Sequence, residues 1–174
     1  SDARVAWGGK NAIESIIGLK KKINCNDIIF GPKESLAVIS RKMLINKAQS
    51  KTISQNLAND IAIFNQYGCN SPHNVFLEKN SKVGLNQFVE DLSHSLDLLT
   101  VKSSNISTNW ADAYNVLRER FLYQVENDKE AKFSKDLKWT ILINHGKVEA
   151  RHPVFGRTVY TQIVDSIFDV KKYL

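Results

Sequence analysis

The feature that most constrains the fold of this chain is a hydrophobic period that switches repeatedly between two values. Short β-branched or alternating runs occur at Ala3 to Trp7, Asp27 to Phe30, Leu36 to Ser40, Asn74 to Leu77, Leu137 to Asn144 and Arg157 to Val164. Such runs read as strands, since side chains on a pleated ribbon alternate between its faces. Between them lie segments whose apolar residues return every three or four positions, as on one face of a helix. Asn11 to Leu19 would turn Ile13, Ile16 and Ile17 inward, and Thr52 to Phe64 would bury Ile53, Leu57, Ile61 and Phe64. Leu85 to Leu99 carries Leu85, Phe88, Val89, Leu92, Leu96 and Leu99, and Trp110 to Val125 carries Trp110, Ala113, Tyr114, Leu117, Phe121 and Val125, each set predicted to face a core. Glu126 to Asp136 reads as a polar connection, His145-Gly146-Lys147 as a turn and Val154 to Gly156 as a loop. Strands interleaved with helices predict an α/β protein with a partly parallel sheet flanked by helices.

With 174 residues, 43% of them hydrophobic, the chain can bury one ordinary core, or one domain and part of a second. Cys25 and Cys69 are its two cysteines, too few for a disulfide framework, and no signal-like apolar segment is evident, which together predict a reducing, cytoplasmic setting. No apolar stretch reaches the ~20 residues that span a bilayer. The net charge of +6 permits a polyanionic partner without demanding one. The basic residues are scattered, and the densest cluster, Lys20-Lys21-Lys22, is placed to close the first helix, where cations offset the dipole. The aromatic-basic interleaving of a single-strand platform is missing, so neither nucleic acid nor membrane is expected as a partner. The chain opens on the strand-like Ala3-Arg4-Val5-Ala6-Trp7 without an initiator methionine, and so reads as a piece of something larger.

Chemistry concentrates at Cys69, in Phe64-Asn65-Gln66-Tyr67-Gly68-Cys69-Asn70-Ser71-Pro72-His73. Gly68 and Pro72 end the preceding helix and put the thiol on a turn rather than in a core. An ordinary thiol of pKa about 8.5 is only a few per cent thiolate at pH 7, so a nucleophilic Cys69 needs activation. The preceding helix presents its negative end there, leaving backbone N–H groups of the loop or a cation to do it. His73, four residues on, is a candidate acid or base. His94, His145 and His152 have no spacing that suggests a metal site and are expected to be structural.

Three motifs stand in fixed order: Gly31-Pro32-Lys33 between β segments, the Asn65-Gln66 to Cys69 loop, and Val154-Phe155-Gly156 before a strand. Together they resemble the aldehyde dehydrogenase superfamily. Val5-Ala6-Trp7-Gly8-Gly9, followed by the Asn65 to His73 run, resembles more specifically the long-chain acyl (fatty-acid) reductases of bacterial bioluminescence, over essentially the whole chain. The resemblance implies an aldehyde-dehydrogenase-like catalytic domain over residues 27–174, preceded in 1–26 by the last strand and helix of a nucleotide-binding domain. It implies that Cys69 takes a fatty acyl group as a thioester and presents it to the hydride of NADPH, releasing a long-chain aldehyde for luciferase. It places Trp7, Gly8 and Gly9, and Phe155 with Gly156, beside the cofactor. Its implied partners are a fatty acyl thioester or acyl-carrying protein, the acyl-protein synthetase subunit of a reductase complex, and further copies of the chain in a homo-oligomer.

Aldehyde-oxidising members carry a glutamate base two residues before the glycine of the first motif, where this chain has Ile29. An acyl-enzyme destined for reduction needs no hydrolytic base, so Ile29 agrees with a reductase. The cysteine run is one residue shorter than the usual dehydrogenase form, and no Gly-x-Gly-x-x-Gly phosphate loop is present. A coenzyme A-acylating aldehyde dehydrogenase is the neighbouring alternative; a non-catalytic α/β interaction module is the alternative of a different class.

Overall fold

The computed structural model describes residues 2–31, 33–102 and 109–173. The chain divides into two compact units between Lys33 and Glu34. A boundary after residue 26, as the motifs suggest, would cut between strand partners. In the first unit β1 (Ala3–Trp7) is joined through α1 (Lys10–Ile17) to β2 (Asn26–Phe30), and the two strands pair in parallel from Ala3 opposite Asn26 to Trp7 opposite Phe30. Of the three isoleucines expected to face inward on α1, Ile13 is buried and Ile17 exposed. The helix stops at Gly18, short of the predicted end, so the lysine cluster lies beyond it and does not cap it. Lys21 instead joins Arg4 on Asp27, each at 2.8 Å. Those hydrogen bonds, Arg4 first, hold the Asp27 carboxyl at about 2. Pro32 of the first motif lies outside the described residues.

The second unit is built on a five-stranded sheet in the order β3-β4-β7-β6-β5, with β3 Ser35–Ile39, β4 Pro72–Glu78, β5 Lys129–Phe133, β6 Thr140–Asn144 and β7 Thr158–Val164. Every pair is parallel except β5 with β6. The central strands β4, β6 and β7 are buried almost throughout, as strands covered on both faces must be. The helices are α2 (Lys47–Ala62), α3 (Leu85–Lys102) and α4 (Trp110–Val125). Leu57, Ala58 and Ile61 of α2 meet Leu85, Phe88, Val89, Leu92 and Leu96 of α3 over Val75, Leu77, Ile141, Ile143 and Val159 of the sheet, which forms the main core.

Several expectations are corrected. α2 starts five residues before Thr52, because the Asn46 side chain caps it by accepting from the Gln49 N–H at 2.9 Å. It ends at Ala62, so Phe64 is no part of its buried stripe and is 75% exposed. The stripe proposed for the core on α4 faces solvent instead: Trp110 is 95% exposed, and Tyr114, Leu117, Phe121 and Val125 are all exposed. The buried side of α4 holds Asp112, Val116, Glu119, Arg120 and Tyr123. Its polar members are tolerated because they are bonded. Arg120 donates to Thr140 Oγ1 at 2.8 Å and to the Trp139 carbonyl at 2.9 Å, and its guanidinium lies 4.2 Å from the centre of the Phe133 ring. The polar connection Glu126 to Asp136 contains β5, a strand disguised by charges that suit a sheet edge. β6 starts at Thr140 rather than Leu137, whose positive φ of 58° breaks the extended run. A 3-10 helix over Ile167–Tyr173, which no periodicity or cap signal foretold, follows β7.

Candidate active site

Between α2 and β4 the chain makes a turn of unusual backbone. Phe64, Asn65 and Gln66 all have positive φ, at 47°, 56° and 69°, although none is glycine. Such a run persists only where the surroundings over-determine it, and here they do. Gln66 is fully buried, and its amide donates to the carbonyls of Pro72 and Thr158, both at 2.9 Å, while accepting from the Thr158 N–H at 2.8 Å. Asn65 Oδ1 accepts from the guanidinium of Arg157, which also donates to the Lys138 carbonyl. Arg157 is itself fully buried in a left-handed conformation with Phe155 and Gly156, and burial lowers its guanidinium to about 10, still charged at neutral pH.

The loop that leaves this turn carries Cys69 into solvent, whereas Cys25 is buried; both are free. Ser35 Oγ, at the start of β3, donates to the Cys69 carbonyl at 2.6 Å, and the Ser71 N–H closes the turn on the Gly68 carbonyl at 3.0 Å. Gly68 is required by space rather than by φ, since a Cβ there would stand 2.8 Å from Asn70 Oδ1 and 3.2 Å from Ser71 Oγ.

The second and third motifs come together around one ring. Phe155 stacks on Tyr67, centroids 4.8 Å apart and planes 11° from parallel, and meets the edge of His73 at 5.2 Å. Tyr67 Oη donates to Asp112 Oδ2 at 2.5 Å and accepts from Asn109 Nδ2 at 2.7 Å, which ties the loop to the N-terminus of α4. His73 is the second residue of β4, not a loop residue, and is 4% exposed. Burial lowers its pKa, with the Glu34 carboxylate opposing the shift, so its imidazole is neutral at pH 7. Its Nδ1 has no partner among the described residues, nor do the buried Ser71 Oγ, Arg157 Nη2 and Thr158 Oγ1 nearby in the fold. Glu34 pairs instead with the exposed His152, at 3.3 Å.

In the first unit, Gly8 has a φ of 152° and Gly9 opens α1; a Cβ at Gly9 would meet nothing within 4 Å, and Trp7 is exposed. Ile29 is half-buried on β2. Among the described residues no three His, Cys, Asp or Glu side chains gather as a metal site, and no helix is long and apolar enough to cross a membrane. Sequence reasoning singled out Cys69, His73 and Phe155 but assigned nothing to Gln66, Arg157, Tyr67 or Ser35. The asparagine-glutamine pair beside the cysteine was the available signal for Gln66; Arg157 had only its place after the Val154 to Gly156 motif.

Comparison with solved structures defines the class of fold first. The chain superposes on the Escherichia coli lactaldehyde dehydrogenase with a TM-score of 0.67 at 14% identity, covering 99% of this chain and 38% of that one. An indole-3-acetaldehyde dehydrogenase of P. syringae, in complex with NAD+ and IAA, gives 0.66 at 11% identity over 99% and 37% of the two chains. The fold is that of the aldehyde dehydrogenases. The sequence model of the family described as Acyl-CoA reductase (LuxC) matches residues 1–174, and the chain belongs to that family. A long-chain acyl-protein thioester reductase of Vibrio harveyi is 26% identical over 174 residues, 99% of this chain and 34% of that protein. The chain thus spans about a third of the length of that curated relative.

Proposed function

We propose that this chain carries the acyl-accepting centre of a reductase that converts long-chain fatty acyl thioesters to aldehydes, with Cys69 as the nucleophile and NADPH as the reductant. The observation that carries the reading is an exposed thiol on a loop fastened to the starts of β3, β4 and β7, in a member of an acyl-CoA reductase family. Neutral His73, with Nδ1 unpartnered, is the candidate to take the thiol proton. The Cys69 thiolate attacks the acyl carbonyl, a new C–S bond forms, and the donor's thiolate leaves. A reduced nicotinamide, when bound, would supply the hydride needed at the acyl carbon. The oxyanion that develops needs preorganised donors, each worth about 2.7–4 kcal/mol, and the Cys69 N–H, held by no acceptor among the described residues, is one candidate. Collapse breaks the C–S bond, restores the thiolate and frees the aldehyde.

The cofactor-facing residues fit the reading separately in each unit. Gly9 leaves the backbone open for close approach of a ligand beside the exposed Trp7, Gly8 supplies the positive φ before it, and Phe155 with Gly156 stands next to the cysteine loop. An acyl-protein synthetase as acyl donor, a cytoplasmic location, assembly of several copies and delivery of the aldehyde to luciferase belong to the same proposal. A second reading is acylation from coenzyme A by shorter acyl groups, of which the coenzyme A donor agrees with the acyl-CoA reductase family matched. Rates of Cys69 labelling against chain length, measured with coenzyme A and protein-bound donors in parallel, separate the two.

The test of the common step is mass spectrometry after incubation with a long-chain acyl thioester. One acyl group is expected on Cys69 and none in Cys69→Ala. An adduct on Cys25, or labelling that survives Cys69→Ala, would overturn the assignment.

A further inference from the structure

We propose that Gln66 is the positioning residue of the cysteine loop, acting as a surrogate ladder residue where β4 and β7 part. The inference rests on the reading of Cys69 as nucleophile but is carried by different atoms. The parallel pairing of β4 with β7 begins at Asn74 opposite Tyr160. Continuing the register back by two residues sets Pro72 opposite Thr158, and proline has no N–H with which to form a ladder bond. The Gln66 side chain enters there. One amide N–H satisfies the Pro72 carbonyl, the other the Thr158 carbonyl, and the amide oxygen receives the Thr158 N–H. Both donors and one acceptor site of the amide are engaged, without exposure to solvent. Gln66 is also the last of the three left-handed residues, so its backbone sets the direction in which Tyr67, Gly68 and Cys69 leave. The side chain thus fastens to the sheet the point from which the nucleophile's loop departs, three residues before the thiol. Arg157, bonded to Asn65 and adjacent to Thr158, braces the same junction.

The test compares wild type with Gln66→Met, which keeps the length of the side chain and removes its hydrogen bonds, in the protein at its natural length. Hydrogen exchange of the Tyr67 and Ser71 amides, which close the loop's own turns, should quicken at least about tenfold while amides in α3 keep their rates. Acylation of Cys69 by a long-chain thioester should slow at least about tenfold, because small displacements of a reacting group cost up to about a hundredfold. Alkylation of the exposed thiol by iodoacetamide should change by less than about threefold, since a small reagent needs no fixed geometry. Unchanged loop exchange, equal quickening in α3, or unchanged acylation in the folded variant would overturn the proposal. If Gln66→Met does not fold, Gln66→Asn, which withdraws the amide by one methylene, takes its place in the same comparison; failure of both to fold would make Gln66 a residue of the fold and overturn the positioning role. Should wild type accept no acyl group on Cys69, the nucleophile reading fails, and the exchange rates still decide the role of Gln66.

Discussion

Burial of the His73 imidazole couples the stability of the protein to pH. Its pKa is lower in the folded state, mainly by desolvation, so below about 6.5 the unfolded chain binds a proton that the folded chain resists. The stability His73 contributes is therefore present above about 6.5 and lost as the pH falls towards its folded pKa. Thermal midpoints measured between about pH 8 and pH 5 should fall less steeply in His73→Phe than in wild type, the new ring taking the place of the imidazole edge against Phe155. Equal slopes would show that His73 is not the group responsible. At Gly68 the constraint is steric. In Gly68→Ala the Asn70 amide can swing away because it is exposed, but buried Ser71 cannot, and a loss of about 1 kcal/mol is expected, seen as a fall of about 2–4 °C in the melting midpoint. Adding Ser71→Ala, which removes the oxygen that the new methyl group meets, should recover part of it.

At the scale of elements, α3 and α4 make a controlled pair. Leu92, fully buried between α2 and the sheet, should cost about 2–5 kcal/mol when cut to alanine, measured by denaturant unfolding. On α4, Leu117→Glu should change stability by less than about 0.5 kcal/mol, while Val116→Asp one position away should prevent folding at 37 °C. Both helices were legible as helices, because periodicity reports the repeat of the backbone. Only α3 was legible in orientation, because periodicity does not say which face finds a partner. On α4 the polar face found bonds for Asp112 and Arg120, and the aromatic face was left outside. β5 was hidden for a related reason: Lys-Glu-Ala-Lys-Phe satisfies the backbone of an edge strand without apolar alternation. The turn at 64–66 was not legible at all, since no local preference favours positive φ at phenylalanine or glutamine and contacts 92 residues away enforce it.

At the scale of the whole molecule, the second unit carries different features at the two ends of its parallel strands. Cys69 precedes β4 and Phe155 precedes β7, so the candidate site lies at the N-terminal ends of parallel strands. A cavity of about 490 Å³, lined in part by Glu126, Asp128, Asn144 and Lys147, lies at the opposite end of β6. Asn144 pairs with Gln162, four residues beyond Thr158, which puts the cavity ~13 Å along the sheet from the Gln66 junction at ~3.3 Å per residue. Lys147→Ala should therefore leave the rate of Cys69 acylation within about twofold of wild type, measured by the same mass spectrometry. The cysteine loop has one more consequence, for proteolysis. A protease needs a substrate segment drawn out into its cleft, and an exposed loop ordinarily yields one. This one is held at Gln66, at Tyr67 and at the Cys69 carbonyl by groups from β7, α4 and β3, so drawing it out means opening the sheet that carries them. Cleavage between residues 66 and 71 should accordingly follow the equilibrium of global unfolding, making the most accessible thiol in the described structure part of one of its least digestible surface segments.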